Sequence, residues 1–228
     1  MLGALEAIVA RASQYLIESF RARRGLDVVL NKGDDVTRER GFYRWGDERY
    51  IFVLDPLDGS YNYAVGIPMF SISLAAGVYR EGTLSDLEYA VVAIPPTGEV
   101  YTASPALGAR KNGAPLMRRS GSRIVFVAIS NGFPESTCEI VRRRGYKGRS
   151  LGSSAAELAY TVEGLARGFV DLRGRLRVLD VAGALTVGKY VPGFKYVLYG
   201  DGAVDAKISI IAGDEDFVNE ATAYRRGN

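Results

Sequence analysis

Along residues 2–24, Leu2, Leu5, Ile8, Val9, Ala12, Leu16, Ile17 and Phe20 recur at helical spacing, and Arg21, Arg23, Arg24 and Gly25 follow. That period predicts one amphipathic helix with basic side chains near its C-terminal end and a glycine stop. The polar run Asn31-Lys32-Gly33-Asp34-Asp35 reads as a loop. Between 41 and 55, Phe42, Tyr43 and Trp45 precede Gly46-Asp47, and Tyr50-Ile51-Phe52-Val53-Leu54 follow, which reads as a hairpin. Further strands are expected over 70–79, 87–94 and 98–103. Together they suggest an antiparallel meander ending at the turn Ala109-Arg110-Lys111-Asn112-Gly113.

The pattern changes in the second half. Ile124–Ser130 reads as a buried strand and Glu135–Arg144 as a helix. Residues 153–168 predict another helix, with Ser153 and Ser154 as cap candidates and Ala155, Leu158, Ala159, Val162 and Leu165 on one face. Residues 180–190 predict a third, ended by Pro192-Gly193. Short strands are expected over 169–172, 195–199 and 207–212, and a polar helix closes the chain. The division falls near 115–123. Residues 1–120 and 121–228 are expected to form one compact unit, with helices between layered sheets.

Composition narrows the chemistry. The 228 residues are 47% hydrophobic and 24% charged, as in a soluble globular protein. A net charge of +3 without a long basic run predicts no nucleic-acid partner; Arg142-Arg143-Arg144 reads as a solvated helix face. No apolar run reaches the roughly 18 to 20 residues that span a bilayer. Glu6 and Arg11 make the N-terminus unlike a signal peptide. A single cysteine, Cys138, permits no internal disulfide, which suits a reducing compartment and points to the cytoplasm. Arginine outnumbers lysine and Gln14 is the only glutamine, a composition that hints at a thermophilic source. The chain has no histidine. Ser–His–Asp and Cys–His catalysis and histidine-ligated zinc are therefore excluded within one chain, and hydrolysis must rest on carboxylates, hydroxyls, lysine or a hard metal ion. Hard cations prefer oxygen, which directs attention to aspartate.

In Val53-Leu54-Asp55-Pro56-Leu57-Asp58-Gly59-Ser60-Tyr61-Asn62, an apolar strand runs into Asp55. Pro56 cannot continue a sheet ladder. Asp58 follows in a tight turn where both carboxylates can point at one ion, and the Leu57 carbonyl can add an oxygen. The N–H groups of Gly59 and Ser60 would then be free to bind an anion such as phosphate. Asp180 heads an apolar helix, where a carboxylate could serve equally as an N-cap. Arg173, Arg175 and Arg177 alternate along an extended stretch and so share one side. They would suit phosphate contact, or protect a sheet edge.

D-P-L-D-G-S-x-N resembles the first signature of the inositol monophosphatase and fructose-1,6-bisphosphatase superfamily. Leu179-Asp180-Val181-Ala182-Gly183-Ala184 resembles its W-D-x-A-G-A, with leucine in place of tryptophan, and Gly152-Ser153-Ser154-Ala155-Ala156 resembles its G-S-A-A segment. Residues 170–177 look closest to archaeal members acting on both inositol phosphates and fructose bisphosphate. The likeness covers roughly residues 27–215. It implies an α+β fold, a layered α-β-α-β-α sandwich of the sugar phosphatase type, and a homodimer to which exposed aromatics such as Tyr61, Tyr63 and Phe70 could contribute, although core packing explains these side chains equally well. It implies that Asp55, Asp58, Asp180 and the Leu57 carbonyl bind Mg²⁺, about two or three ions in all. It also implies that Gly59 and Ser60 contact phosphate, that the Ser60 hydroxyl helps orient the attacking water, and that Ser153, Ser154 and the three arginines lie on the substrate side.

One part of the pattern is shortened. Family members carry an acidic G-E-E segment well before the first signature, and too few residues precede Asp55 here. Asp47 and Glu48 in Gly46-Asp47-Glu48 match by letter. A hairpin turning at Gly46-Asp47, however, places them roughly 20 Å from Asp55 at about 3.3 Å per residue. The same hairpin brings Glu39 opposite Asp55, so Glu39, or Asp35, is expected to supply the extra catalytic carboxylate. The function expected is Mg²⁺-dependent hydrolysis of inositol monophosphate or fructose-1,6-bisphosphate. Two alternatives stay open: a metal-poor relative that binds phosphosugars, and a phosphatase of adenosine 3′,5′-bisphosphate.

Overall fold

The computed structural model describes residues 1–22, 50–129 and 135–226. Helix α1 (Leu2–Arg21) precedes strand β1 (Tyr50–Asp58), helix α2 (Ser60–Val65) and the antiparallel strands β2 (Ser71–Val78), β3 (Leu87–Ile94), β4 (Glu99–Ser104), β5 (Gly108–Lys111) and β6 (Ala114–Pro115). These strands form one sheet in the order β1-β2-β3-β4-β5-β6. Then come β7 (Ile124–Val127), α3 (Glu135–Arg143), β8 (Lys147–Arg149), α4 (Ser154–Glu163), β9 (Gly168–Arg177), α5 (Val178–Gly188), β10 (Phe194–Tyr199), β11 (Lys207–Asp214) and α6 (Glu215–Arg226). The second sheet has the order β10-β11-β9-β7-β8.

Burial stacks these elements into layers. Leu5 and Val9 of α1 pack on Ile72, Leu74, Ala76, Val91 and Ala93, one face of the first sheet. The other face, with Ile51, Val53 and Val92, meets Leu158 of α4 and Val181 and Leu185 of α5. Those helices in turn pack on Phe126, Phe169, Ile208 and Ile210 of the second sheet. Its outer face, Val125, Val127, Val170 and Ile211, is covered by Ile140 of α3 and by Phe217, Val218 and Ala221 of α6. The order is α-β-α-β-α, as the resemblance implied. Helix α5 lies between two sheets, which explains why it is apolar on nearly every side. A Cβ at Gly183 would stand 2.4 Å from Ser73 Oγ and 2.9 Å from a Val92 methyl, so only glycine lets α5 lie this close to β2 and β3.

Most expected elements are found within a residue or two. The turn expected over 109–113 is shorter: Gly108–Lys111 is strand β5, and only Asn112-Gly113 turns, into β6. The strand expected over 124–130 ends at Val127. The helix expected over 153–168 stops at Glu163, because Gly164 turns left-handed at φ 85°. The strand expected over 169–172 runs from Gly168 to Arg177. The helix expected from Asp180 starts at Val178, which makes Asp180 its third residue and not its N-cap. Of the aromatics weighed between a dimer surface and the core, Tyr63 and Phe70 are 6% and 0% exposed and pack against Phe20 in the core; Tyr61 alone of the three is exposed. The loop at 31–35, the first arm of the hairpin, and Asp35, Glu39, Asp47 and Glu48 lie outside the described residues.

Candidate active site

Asp55 is buried near the end of β1, where it pairs across the ladder with Ser73 of β2. Its Oδ1 accepts the N–H of Leu57 at 3.2 Å, a bond from residue i to residue i+2 that shapes the turn into Asp58. The ladder between β1 and β2 shifts register between Asp55 and Asp58. Pro56 sits in that gap, where its missing N–H costs no ladder bond.

Asp58 is held by neutral donors. Its Oδ2 accepts Ser153 Oγ at 2.7 Å, the backbone N–H of Ala155 at 2.7 Å and Ser71 Oγ at 3.3 Å, and the two serine hydroxyls lie 2.8 Å apart. Ser153 is the N-cap of α4, but its hydroxyl reaches Asp58 and makes no cap bond to its own helix. The carboxylate of Asp58 does that capping from another segment, where the helix dipole favours it. Burial pushes the Asp58 carboxyl up, and the negative charge of Asp180 adds to the rise; its hydrogen bonds pull the other way, leaving it at about 6. Two carboxylates far apart in sequence thus meet closely enough to repel one another.

Asp180 lies in the first turn of α5. The Arg177 N–H donates to its Oδ2 at 3.2 Å, and Arg177 Nη2 donates to Oδ1 at 2.8 Å. Arg173 makes a forked pair with the fully buried Asp171: Nε to Oδ1 at 2.9 Å and Nη2 to Oδ2 at 2.6 Å. This pairing raises the already high pKa of Arg173 further. Alternation of the three arginines fails for a local reason. Gly174 takes a left-handed φ of 67°, and the β9–β11 ladder shifts register there. Arg173 and Arg177 therefore engage carboxylates, while Arg175 is exposed. Gly59, at φ 82°, is the N-cap of α2; Ser60 at its start is exposed, and Ser154 is half-buried.

Among the described residues, no group of three or more histidine, cysteine, aspartate or glutamate side chains is close enough to hold one metal ion. The donors present still suit a hard cation in kind. Asp58 lies near enough to Asp180 to feel its charge, and Ser73 Oγ, beside Asp55 in the ladder, is buried without a hydrogen-bond partner. Every group is an oxygen.

Several site residues escaped the sequence reading. Asp171 stands in the apolar strand Phe169-Val170-Asp171-Leu172, and Glu157 in the apolar helix Ala155-Ala156-Glu157-Leu158-Ala159. A lone carboxylate inside an apolar element was the available signal. Asn62 stood in the first signature without a role, and Ser71 gave no such signal, because polar residues beside turns are common.

The sequence model of the Inositol monophosphatase family matches residues 4–190. A protein of Pyrococcus furiosus named fructose-1,6-bisphosphatase is 30% identical over 184 residues, covering 80% of this chain and 66% of the relative. One of Methanothermobacter thermautotrophicus, named fructose-1,6-bisphosphatase/inositol-1-monophosphatase, is 36% identical over 149 residues, covering 60% and 52%. The chain thus spans less than two thirds of the length of these curated relatives. In fold, the solved extragenic suppressor protein SuhB of Bartonella henselae superposes with a TM-score of 0.73 at 22% identity, over 99% of this chain and 97% of that one. The match across most of its length shows that this chain belongs to the inositol monophosphatase family.

Proposed function

We propose that the chain is a Mg²⁺-dependent phosphomonoesterase that hydrolyses small sugar or polyol phosphates, with inositol monophosphate and fructose-1,6-bisphosphate as the substrates to try first. The observation that carries this reading is the signature turn from Asp55 to Asp58, held against α4 by Ser153 and the Ala155 N–H, where burial lifts the Asp58 carboxyl to about 6 and the charge of Asp180 adds a repulsion. A divalent ion would relieve that repulsion. Asp55, Asp58, Asp180 and the Leu57 carbonyl would hold Mg²⁺, which supplies water activation and neutralises charge on the phosphoryl oxygens.

The chain's own groups do the rest. Free N–H groups at Gly59 and Ser60 would hold the ester's phosphate. The Ser60 hydroxyl would orient water for in-line attack, and without histidine no side chain of that type can take the proton. Glu39 is proposed as the additional carboxylate. Ser153 fixes Asp58, and Ser154 stands at the start of α4 beside it. Arg175, exposed on β9, is proposed to meet a second phosphate, which would favour the bisphosphate. A homodimer and a cytoplasmic location complete the proposal. No helix among the described residues is long and apolar enough to cross a membrane.

The competing reading is a metal-poor relative. A protein that binds phosphosugars but turns them over slowly would look the same. Phosphate release from a panel of inositol, fructose and nucleotide phosphates, titrated with Mg²⁺, separates the readings. Turnover that rises with Mg²⁺ on sugar phosphates supports the first. Binding without release supports the second, and turnover confined to adenosine 3′,5′-bisphosphate would move the substrate class.

A further inference from the structure

The peptide joining Leu151 to Gly152, just before Ser153, is gripped from two sides. Asn62 on α2 donates both of its amide hydrogens, to the Leu151 carbonyl at 2.7 Å and to the Met69 carbonyl at 2.8 Å. From α4, one oxygen of Glu157 accepts the N–H of Leu151 and, at 3.2 Å, the N–H of Gly152. The junction has no spare room. A Cβ on Gly152, whose φ is 80°, would stand 2.8 Å from Asn62 Nδ2, and one on Gly59 would stand 2.9 Å from the Met69 carbonyl and 3.2 Å from that of Gly152. Three backbone segments therefore meet around one carboxamide, which alone among side chains of this size can satisfy two carbonyls at once.

This junction lies one residue from the hydroxyl that holds Asp58. Ser153 Oγ reaches Asp58 Oδ2 at 2.7 Å, and the Ala155 N–H reaches the same oxygen at 2.7 Å. We propose that Asn62 and Glu157 are positioning residues that clasp the 151–152 peptide, so that Ser153 aims the Asp58 carboxylate toward the cation site. The inference rests on the metal-assisted reading above. Neither residue touches the reacting atoms in it, and both act through Ser153. The burial of Glu157 supports a purpose beyond packing. Its side chain is 3% exposed, and burial, with the charges of Asp58 and Asp171, pushes its carboxyl up to about 8 against the pull of two N–H bonds. A carboxyl so placed costs stability, which an apolar residue in α4 would avoid.

The test is calorimetric titration of Mg²⁺ into the wild-type chain, N62A, E157A, their double variant and E157Q, with melting temperatures measured alongside. Each alanine variant is expected to weaken Mg²⁺ binding about tenfold. The double variant is expected to lose no more than about threefold beyond the worse single one, because both groups hold one peptide. E157Q keeps the acceptor and is expected to stay within about threefold of wild type. Wild-type Mg²⁺ affinity in N62A, or a double variant equal to the product of the singles, would overturn the clasp even if every variant melts early. Absence of Mg²⁺ binding by the wild type would instead overturn the metal-assisted reading beneath it. Should the alanine variants fail to fold, amide exchange in the wild type decides. By reciprocity, Mg²⁺ should slow exchange at Leu151 and Gly152 about tenfold, and unchanged exchange there overturns the proposal.

Discussion

Helix α4 carries a buried glutamate near each end, and the two ends differ. At its C-terminal end, Glu163 accepts Tyr101 Oη and Lys111 Nζ, each at 2.6 Å, and pairs with Arg119 at 3.0 Å. Lys111 also pairs with Glu99 at 2.6 Å, and Tyr160 donates to Glu99 at 2.7 Å. Two acids meet two cations there, and the cluster is closed. Lys111 is held above its ordinary pKa and Glu99 below, as partners of opposite charge require, while Tyr101, donating to a carboxylate, is raised. At the N-terminal end, Asp58 and Glu157 feel the charges of Asp180 and Asp171, which pair with Arg177 and Arg173. Acids outnumber bases among the described residues there, and the carboxyls of Asp58 and Glu157 rise instead of falling. Burial is common to both ends, so the difference lies in charge balance. An excess of carboxylate beside a signature motif is what the proposed cation site would need.

The largest effect should come from removing the central carboxylate. D58N is expected to lower Mg²⁺-dependent phosphate release by about a thousandfold or more and to abolish the rise in melting temperature that Mg²⁺ gives the wild type. A D58N protein as active as wild type would show that the excess charge serves no cation. At the balanced end the effect should be on stability alone. K111M leaves Glu163 and Glu99 short of a partner and is expected to cost about 2 to 4 kcal/mol in denaturant unfolding, less than a fully buried pair because Lys111 is partly exposed. Turnover per folded molecule should stay unchanged; a large drop would mean that the two ends are coupled through α4.

The pH dependence should differ between the ends as well. A carboxyl raised in the folded state keeps its proton where the unfolded chain has lost it. Stability from Glu157 is therefore present below the ordinary carboxyl range and lost as pH rises through about 8. In metal-free buffer, wild type should lose stability relative to E157Q between about pH 4.5 and 8, and the difference should level off above that. Equal slopes for the two proteins would remove Glu157 from the account. The smallest effect concerns Arg175. R175A is expected to raise KM for fructose-1,6-bisphosphate about tenfold while leaving inositol monophosphate within about twofold. An equal change for both substrates would return Arg175 to the role of a charged sheet edge.

Much of the fold was legible because its elements follow simple periods. The β2, β3 and β4 runs and the apolar α5 were readable within a residue or two, and the motif strings carried the family and the layer order. Three things were not legible. The length of β9 was hidden because the apolar run ends at Leu172; residues 173–177 read as extended, but only the ladder to β11, which resumes at Leu176, makes them part of the same strand. The arginines' targets depend on Gly174's left-handed turn, which breaks the alternation that a straight strand would keep. Glu157 and Asn62 serve backbone groups brought close only by the fold; the first signature includes Asn62 by letter but not the carbonyls it serves.

The most direct test of the central claim is a crystal structure of the wild-type chain soaked in Mn²⁺, with the anomalous signal used to place the ion. The account predicts a peak between the carboxylates of Asp58 and Asp180, within coordination distance of both. A peak elsewhere, or a site left empty at millimolar Mn²⁺ with Asp180 still turned to Arg177, would contradict it.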